Sequence, residues 1–260
     1  MDRSERAALR LVHDAGGLVV VDKPAGLATQ PVRGGGHDDL VALLDGAHPL
    51  HRLDRATSGL CALARDAATA ARLAPLFQSG GAHRRYVALV RGVPAAGAAG
   101  AGVELRHRLV HDTARRSSRI VLTGGQEAVL RYRVCEALAD GRAALLEVTP
   151  LTGRTHQIRV QLAAAGHPVV GDRRYGGPPA ERLMLHAAEL ALPLDASHPH
   201  ATTTLRAPPP TDFETVLALW RRAASSAATK NAGADADAHA HADAGDADPD
   251  ADADHGDATR

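Results

Sequence analysis

The apolar residues of this chain come in short runs, and most runs are soon closed by a glycine or a proline. Leu18-Val19-Val20-Val21 ends at Lys23-Pro24-Ala25-Gly26, Tyr86-Val87-Ala88-Leu89-Val90 at Gly92 and Pro94, and Ala143 to Val148 at Pro150. Leu60-Cys61-Ala62-Leu63-Ala64 is a further run. Such lengths fit buried strands, and none could span a bilayer. From Ala128 to Glu136 the pattern becomes alternation: Leu130, Tyr132 and Val134 between Arg131, Arg133 and Cys135. That period of two predicts a strand with one rather basic face.

Helices are fewer. Asp38 or Asp39 can cap a short one after the loop Arg33 to His37. Asp66 can cap another over Ala67 to Gln78, which Pro75 is expected to kink or shorten. A third is predicted from Thr155 to Ala165, with Ile158, Leu162 and Ala165 on one face, and Gly166 and Pro168 closing it. The stretch Ala95 to Gly102 reads as a loop. The pattern is α/β or α+β, with no repeat and no second domain boundary.

The formal net charge of zero hides a division. From residue 231 the chain reads NAGADADAHAHADAGDADPDADADHGDATR. Taking its nine aspartates and one arginine from totals of 30 acidic and 30 basic residues leaves 29 basic against 21 acidic. A basic body of about +8 suits a polyanion partner such as nucleic acid. The tail over 223–260 cannot bury enough apolar surface to offset its chain entropy, so disorder is expected there. It could compete weakly with a polyanion for the basic body. One domain over 1–222 is left. Only Cys61 and Cys135 occur, both within apolar surroundings, so a disulfide framework is not expected and a reducing cytoplasm fits. The N-terminus MDRSERAALRL lacks a secretory apolar core.

The segment His51-Arg52-Leu53-Asp54-Arg55-Ala56-Thr57-Ser58-Gly59-Leu60 is polar and leads into a buried run. Asp54 between Arg52 and Arg55 favours an ionised carboxylate, hence a nucleophile or base, although a salt bridge or cap explains such an aspartate equally well. The predicted helix at 155 brings Arg154, His156 and Arg159 to its first turn, where free N–H groups can hold a carboxylate or a phosphate. Other chemistries lack their motifs. No Gly-rich phosphate loop or DFG accompanies His51-Arg52-Leu53-Asp54, and G-x-S-x-G is absent. His107 and His111 lack the glutamate of a zinc-protease helix and are expected at the surface or facing RNA.

Four segments together resemble the RluA family of RNA pseudouridine synthases, in that family's order. They are Val20-Val21-Asp22-Lys23-Pro24-Ala25-Gly26-Leu27, His51 to Leu60, and Arg84-Arg85-Tyr86-Val87-Ala88-Leu89-Val90. The fourth is Gly153-Arg154-Thr155-His156-Gln157-Ile158-Arg159-Val160, followed by Gly166-His167-Pro168 and Gly171-Asp172-Arg173-Arg174-Tyr175-Gly176. Leu185-His186-Ala187 matches a further short element. Arg84 stands where the family often has Lys, and Gln161 where many members have His, with little consequence expected.

The resemblance implies an α+β pseudouridine synthase fold: a mixed, mostly antiparallel sheet with surrounding helices and a central cleft. It implies isomerisation of uridine within ribosomal or transfer RNA, with Asp54 catalytic, Tyr86 against the target base and Arg159 paired with Asp54. It makes Arg52, Arg55, Arg154 and His156 RNA-binding candidates, with Arg52 filling the gap left by a flipped base. It requires no metal or organic cofactor and no obligate protein partner, and a monomer is expected. The few residues before Leu11 are too short for the small S4 domain many relatives carry. The alternative is a non-catalytic RNA-binding protein that keeps the fold.

Overall fold

The computed structural model describes residues 9–31, 39–95, 102–194 and 202–222. The acidic tail, the loop at 33–37 and most of the loop at 95–102 lie outside the described residues. Among the described residues, eleven strands form one sheet. They are β1 (Arg10–Ala15), β2 (Leu18–Lys23), β3 (His48–Pro49), β4 (Ser58–Ala64), β5 (His83–Arg91), β6 (Val103–Asp112), β7 (Ser117–Val121), β8 (Gln126–Leu138), β9 (Ala143–Pro150), β10 (Leu185–Leu192) and β11 (Thr203–Arg206). Their order is β1-β2-β4-β10-β5-β9-β8-β6-β7, with β3 on β4 and β11 on β10. The β4–β10 pairing is parallel and the others are antiparallel. The architecture is α+β, as expected.

Alternation sorts side chains onto two faces. Val19, Val21, Cys61 and Leu63 join the larger core with Leu146, Ile158, Leu162 and Phe213. Leu18, Val20, Leu60, Ala62 and Ala64 join a second core under Leu73 and Phe77. With both faces covered, β4 is buried along its whole length, which explains its unbroken apolar run. Helix α1 (Leu40–Leu43) starts at Asp39, whose carboxylate accepts from Ala42 N, as one of the two candidate caps foresaw. Helix α2 (Ala67–Ser79) is capped by Asp66 and runs through Pro75. The expected shortening does not occur. Thr69, Leu73 and Phe77 recur every four residues and anchor the helix to the sheet, and that packing offsets the amide hydrogen bond proline cannot make.

The basic face of β8 is neutralised. Arg131 pairs with Glu104 at 3.1 Å and Arg133 with Glu147 at 2.9 Å, both carboxylates coming from neighbouring strands. Cys135 is exposed, not within an apolar layer. His107 Nδ1 lies 3.0 Å from Gln161 Nε2, and His111 Nδ1 lies 3.3 Å from Ser118 Oγ. His111 is exposed and His107 half-buried, in line with the expected surface position, and each also fastens the β6–β7 arm through its hydrogen bond. Gln161 is fully buried and also donates to Ala128 O at 3.1 Å, so its amide fastens the third helix to the sheet.

One transverse row of the sheet sets up the functional centre. Lys23 pairs with Gly59, Gly59 with Ala187, Ala187 with Tyr86, and Tyr86 with Val148. Gly59 has φ +108, and a Cβ there would run into the Ala187 backbone. Only glycine lets β4 and β10 close at this point. The loop carrying Asp54 is thereby fixed one strand away from β10 and two from Tyr86.

Candidate active site

A cleft of about 780 Å³ opens where these elements meet. The β3–β4 loop lines it with His51, Arg52 and Asp54, β5 with Arg84 and Tyr86, and the β9–α3 loop with Arg154 and His156. Asp54 is the only carboxylate among the described residues that line it. Helix α3 (Gln157–Ala164) begins two residues later than expected because His156 adopts a left-handed conformation, φ 55. A non-glycine residue held there is strained, and the strain turns the chain so that α3 aims its first turn at the cleft.

From that turn, Arg159 Nη1 donates to Asp54 Oδ2 at 3.0 Å. The same guanidinium grips Asp172 with two hydrogen bonds, Nε to Oδ2 at 2.7 Å and Nη2 to Oδ1 at 2.8 Å. Asp172 is fully buried, and its Oδ1 also accepts from Arg174 N at 3.1 Å. The Arg159 guanidinium lies 5.2 Å from the centre of the Tyr175 ring, a cation–π distance. Burial alone would lower the Arg159 pKa, but hydrogen bonds and charge from the two carboxylates more than offset it, and the net shift is upward. Arg159 is thus a fixed cation. Asp54 Oδ1 has no hydrogen-bond partner among the described residues, while Oδ2 is held.

His156 lies beside this pair, with Nε2 3.8 Å from Asp54 Oδ2. Its Nδ1 is 2.9 Å from Tyr175 Oη. Tyr175 Oη donates to Ser118 O and accepts from Ser118 N, so it is left to accept from His156. The hydrogen is assigned to Nδ1, which leaves an unprotonated Nε2 toward Asp54. Desolvation lowers the His156 pKa, so the ring is neutral at neutral pH and forms no ion pair with Asp54.

The sequence-predicted residues divide. Asp54, Tyr86, Arg159, Arg52, Arg154 and His156 converge, although the cation touching Asp54 is Arg159 rather than its chain neighbours. Arg55 turns aside and donates to Gly26 O at 2.6 Å, outside the cleft lining. Three residues without an assigned role prove central: Asp172, Tyr175 and Lys23. Lys23 is fully buried, and its Nζ donates to Pro24 O, Leu27 O and Arg55 O at 2.9, 2.8 and 3.3 Å. It ties the Lys23-Pro24-Ala25-Gly26 turn to the residue after Asp54. The sequence carries no signal for this role, because the acceptors of Lys23 are backbone carbonyls.

Residues 17–164 match the family described as RNA pseudouridylate synthase. The chain belongs to the RNA pseudouridylate synthase family. It is an isomerase that converts uridine in RNA to pseudouridine. The synthase is 35% identical over 206 residues to the dual-specificity RNA pseudouridine synthase RluA of Escherichia coli (strain K12), covering 75% of this chain and 90% of that protein. It is 32% identical over 252 residues to the ribosomal large subunit pseudouridine synthase D of Nitrosomonas europaea, covering 88% of this chain and 70% of the relative. The solved structure of Human RNA Pseudouridylate Synthase Domain Containing 1 superposes with TM-score 0.64 at 27% identity, over 81% of this chain and 87% of that one. Among the described residues of the synthase, no helix is long and apolar enough to cross a membrane.

Burial lowers the Lys23 pKa to about 8. The ammonium can serve three carbonyls, whereas the neutral amine has only two hydrogens. Loss of that proton above pH 8 is expected to release one carbonyl and loosen the Asp54 loop. The saturated single-turnover rate of the synthase is expected to fall as pH rises through 8. Lys23→Met removes all three bonds, so it should lower the plateau by at least roughly tenfold, the worth of one hydrogen bond, and abolish that limb. Stability moves the other way. Between pH 8 and 10.5 the unfolded chain keeps this proton and the folded one does not, so this group's contribution to stability rises across that window. A pH–rate profile unchanged by Lys23→Met would remove the role.

Proposed function

We propose that Asp54 is the catalytic carboxylate of uridine isomerisation in structured ribosomal or transfer RNA. The observation that carries this reading is the division of labour in one carboxylate. Oδ2 is pinned by a cation that is itself locked by Asp172, and Oδ1 has no hydrogen-bond partner among the described residues. The target uridine, flipped from its stack, would lie with its base against Tyr86 and its ribose toward Oδ1. The N1–C1′ bond breaks, the uracil turns while held, and C5 bonds to C1′. C5 gives up its proton and N1 gains one, so composition is unchanged. Asp54 would act on the ribose, as nucleophile at C1′ or as base toward a ribose proton. Arg159 fixes the carboxylate, and His156, neutral, adds no competing charge.

Arg52 and Arg154 are proposed to receive the RNA backbone, and Arg52 to fill the place of the flipped base. One relative is named a ribosomal large subunit pseudouridine synthase and another a dual-specificity RNA pseudouridine synthase, which supports ribosomal RNA as a substrate class. Every proposed group comes from one chain, so a single copy suffices. Two unpaired cysteines, one of them exposed, fit a reducing cytoplasm.

The deciding measurement is pseudouridine mapping. RNA from cells lacking the gene, incubated with the purified protein, should gain pseudouridine at one or a few uridines. Release of free uracil would mean a glycosylase. Binding without conversion would mean an RNA-binding protein that only keeps the fold.

A further inference from the structure

In the cleft lining, two hydrogen-bond donors lack acceptors among the described residues. His51 is one. Its Nε2 accepts from Ala62 N at 3.1 Å, and its ring stacks on Phe77 with centroids 5.1 Å apart. Burial, with repulsion from Arg84, lowers its pKa to about 3, so the ring carries a single hydrogen. With Nε2 accepting, that hydrogen sits on Nδ1, which is buried and unpartnered. Arg84 is the other. Its Nε is buried without a partner, and the side chain makes no hydrogen bond or ion pair among the described residues. Next to it, Arg85 faces the opposite side of β5 and is paired with both Glu147 and Glu189. The strand thus neutralises one arginine twice and leaves the cleft-facing one unpaired. Gly153 makes room for it, since a Cβ there would stand 3.3 Å from Arg84 Nη1.

A buried donor without an acceptor costs about 1–3 kcal/mol, and a part-buried unpaired cation is also unfavourable. Two such groups side by side in a cleft lined with one carboxylate describe a site for an anionic acceptor. Arg84 and Tyr86 share a strand face about 7 Å apart, so the anion would lie beside the base on Tyr86. We propose that His51 and Arg84 form a subsite for a phosphodiester of the bound RNA strand, next to the target nucleotide; this rests on the cleft being the RNA site. The guanidinium supplies charge and His51 Nδ1 a neutral, orientationally fixed donor.

Inorganic phosphate probes the subsite without RNA. Titrated at constant ionic strength, it should shift the His51 Nδ1–H resonance in the wild type and leave it unmoved in Arg84→Met. An unresponsive wild-type resonance overturns the proposal. With a substrate RNA, Arg84→Met should weaken binding roughly threefold to tenfold at 0.1 M salt and reduce the salt slope by about 0.7, the share of one single-strand phosphate. The loss should be larger in binding than in the saturated single-turnover rate, and Arg84→Lys should restore the slope. A lower melting temperature with an unchanged slope would make Arg84 structural and sink the idea. Failure of the wild type to convert any RNA would instead count against the functional reading, and the phosphate titration would still decide the subsite.

Discussion

Asp54→Asn is expected to reduce pseudouridine formation to below about one per cent of wild type at saturating RNA, a loss of at least the size seen when one positioned electrostatic group is removed. The substitution keeps shape and volume. It removes the carboxylate whose oxygen Oδ1 has no hydrogen-bond partner among the described residues. Folding should be little affected, because Arg159 keeps both hydrogen bonds to Asp172 and so is not left as an unpaired buried cation. RNA affinity should be unchanged or slightly higher, since the only negative charge of the cleft lining is gone. The measurement separates three outcomes: single-turnover rate, equilibrium binding and melting temperature. A variant that binds, melts normally and still turns over above that level would place the reacting group elsewhere. A variant that loses binding in parallel would show that Asp54 organises the cleft rather than reacting in it.

Much of this arrangement was legible because it is local. The buried strands announce themselves as unbroken apolar runs, and the Asp39 and Asp66 caps are read from single residues. What could not be read was long-range. Asp54 and Arg159 are 105 positions apart, and only the family resemblance joined them. The insertion of β10 between β4 and β5 depends on Gly59 allowing a close approach to Ala187, which no local pattern reports. Arg131 and Arg133 looked like an exposed basic face because their partners, Glu104 and Glu147, lie on other strands. Lys23 looked like a turn residue because its acceptors are backbone carbonyls, which leave no trace in composition. The shortening expected at Pro75 failed for the opposite reason: a local penalty was weighed without the tertiary packing that offsets it.

The role of Arg159 depends on Asp172, and the two can be tested apart. Arg159→Lys keeps the charge but loses the planar fork, so it can satisfy Asp54 or Asp172 but not both with the same geometry. The rate should fall by about 10²-fold. Stability should fall too, because Asp172 is fully buried and a poorly paired carboxylate there costs on the order of 3 kcal/mol. Asp172→Asn is the cleaner probe. Its retained oxygen can still accept from the Arg174 and Tyr175 amides, and Arg159 stays paired with Asp54. It should lower the saturated rate roughly tenfold through looser placement of the guanidinium, with RNA affinity unchanged. If Arg159 instead served only an RNA phosphate, Arg159→Lys would weaken binding, flatten the salt dependence and leave the saturated rate normal. The geometry argues against that, since its side chain is 10% exposed and three of its N–H groups are already committed to carboxylates. Combining Arg159→Lys with Asp54→Ala closes the test. Two residues serving one step are not additive, so the double variant should be no slower than Asp54→Ala alone. A further drop in the double variant would mean that Arg159 acts on the substrate independently of Asp54.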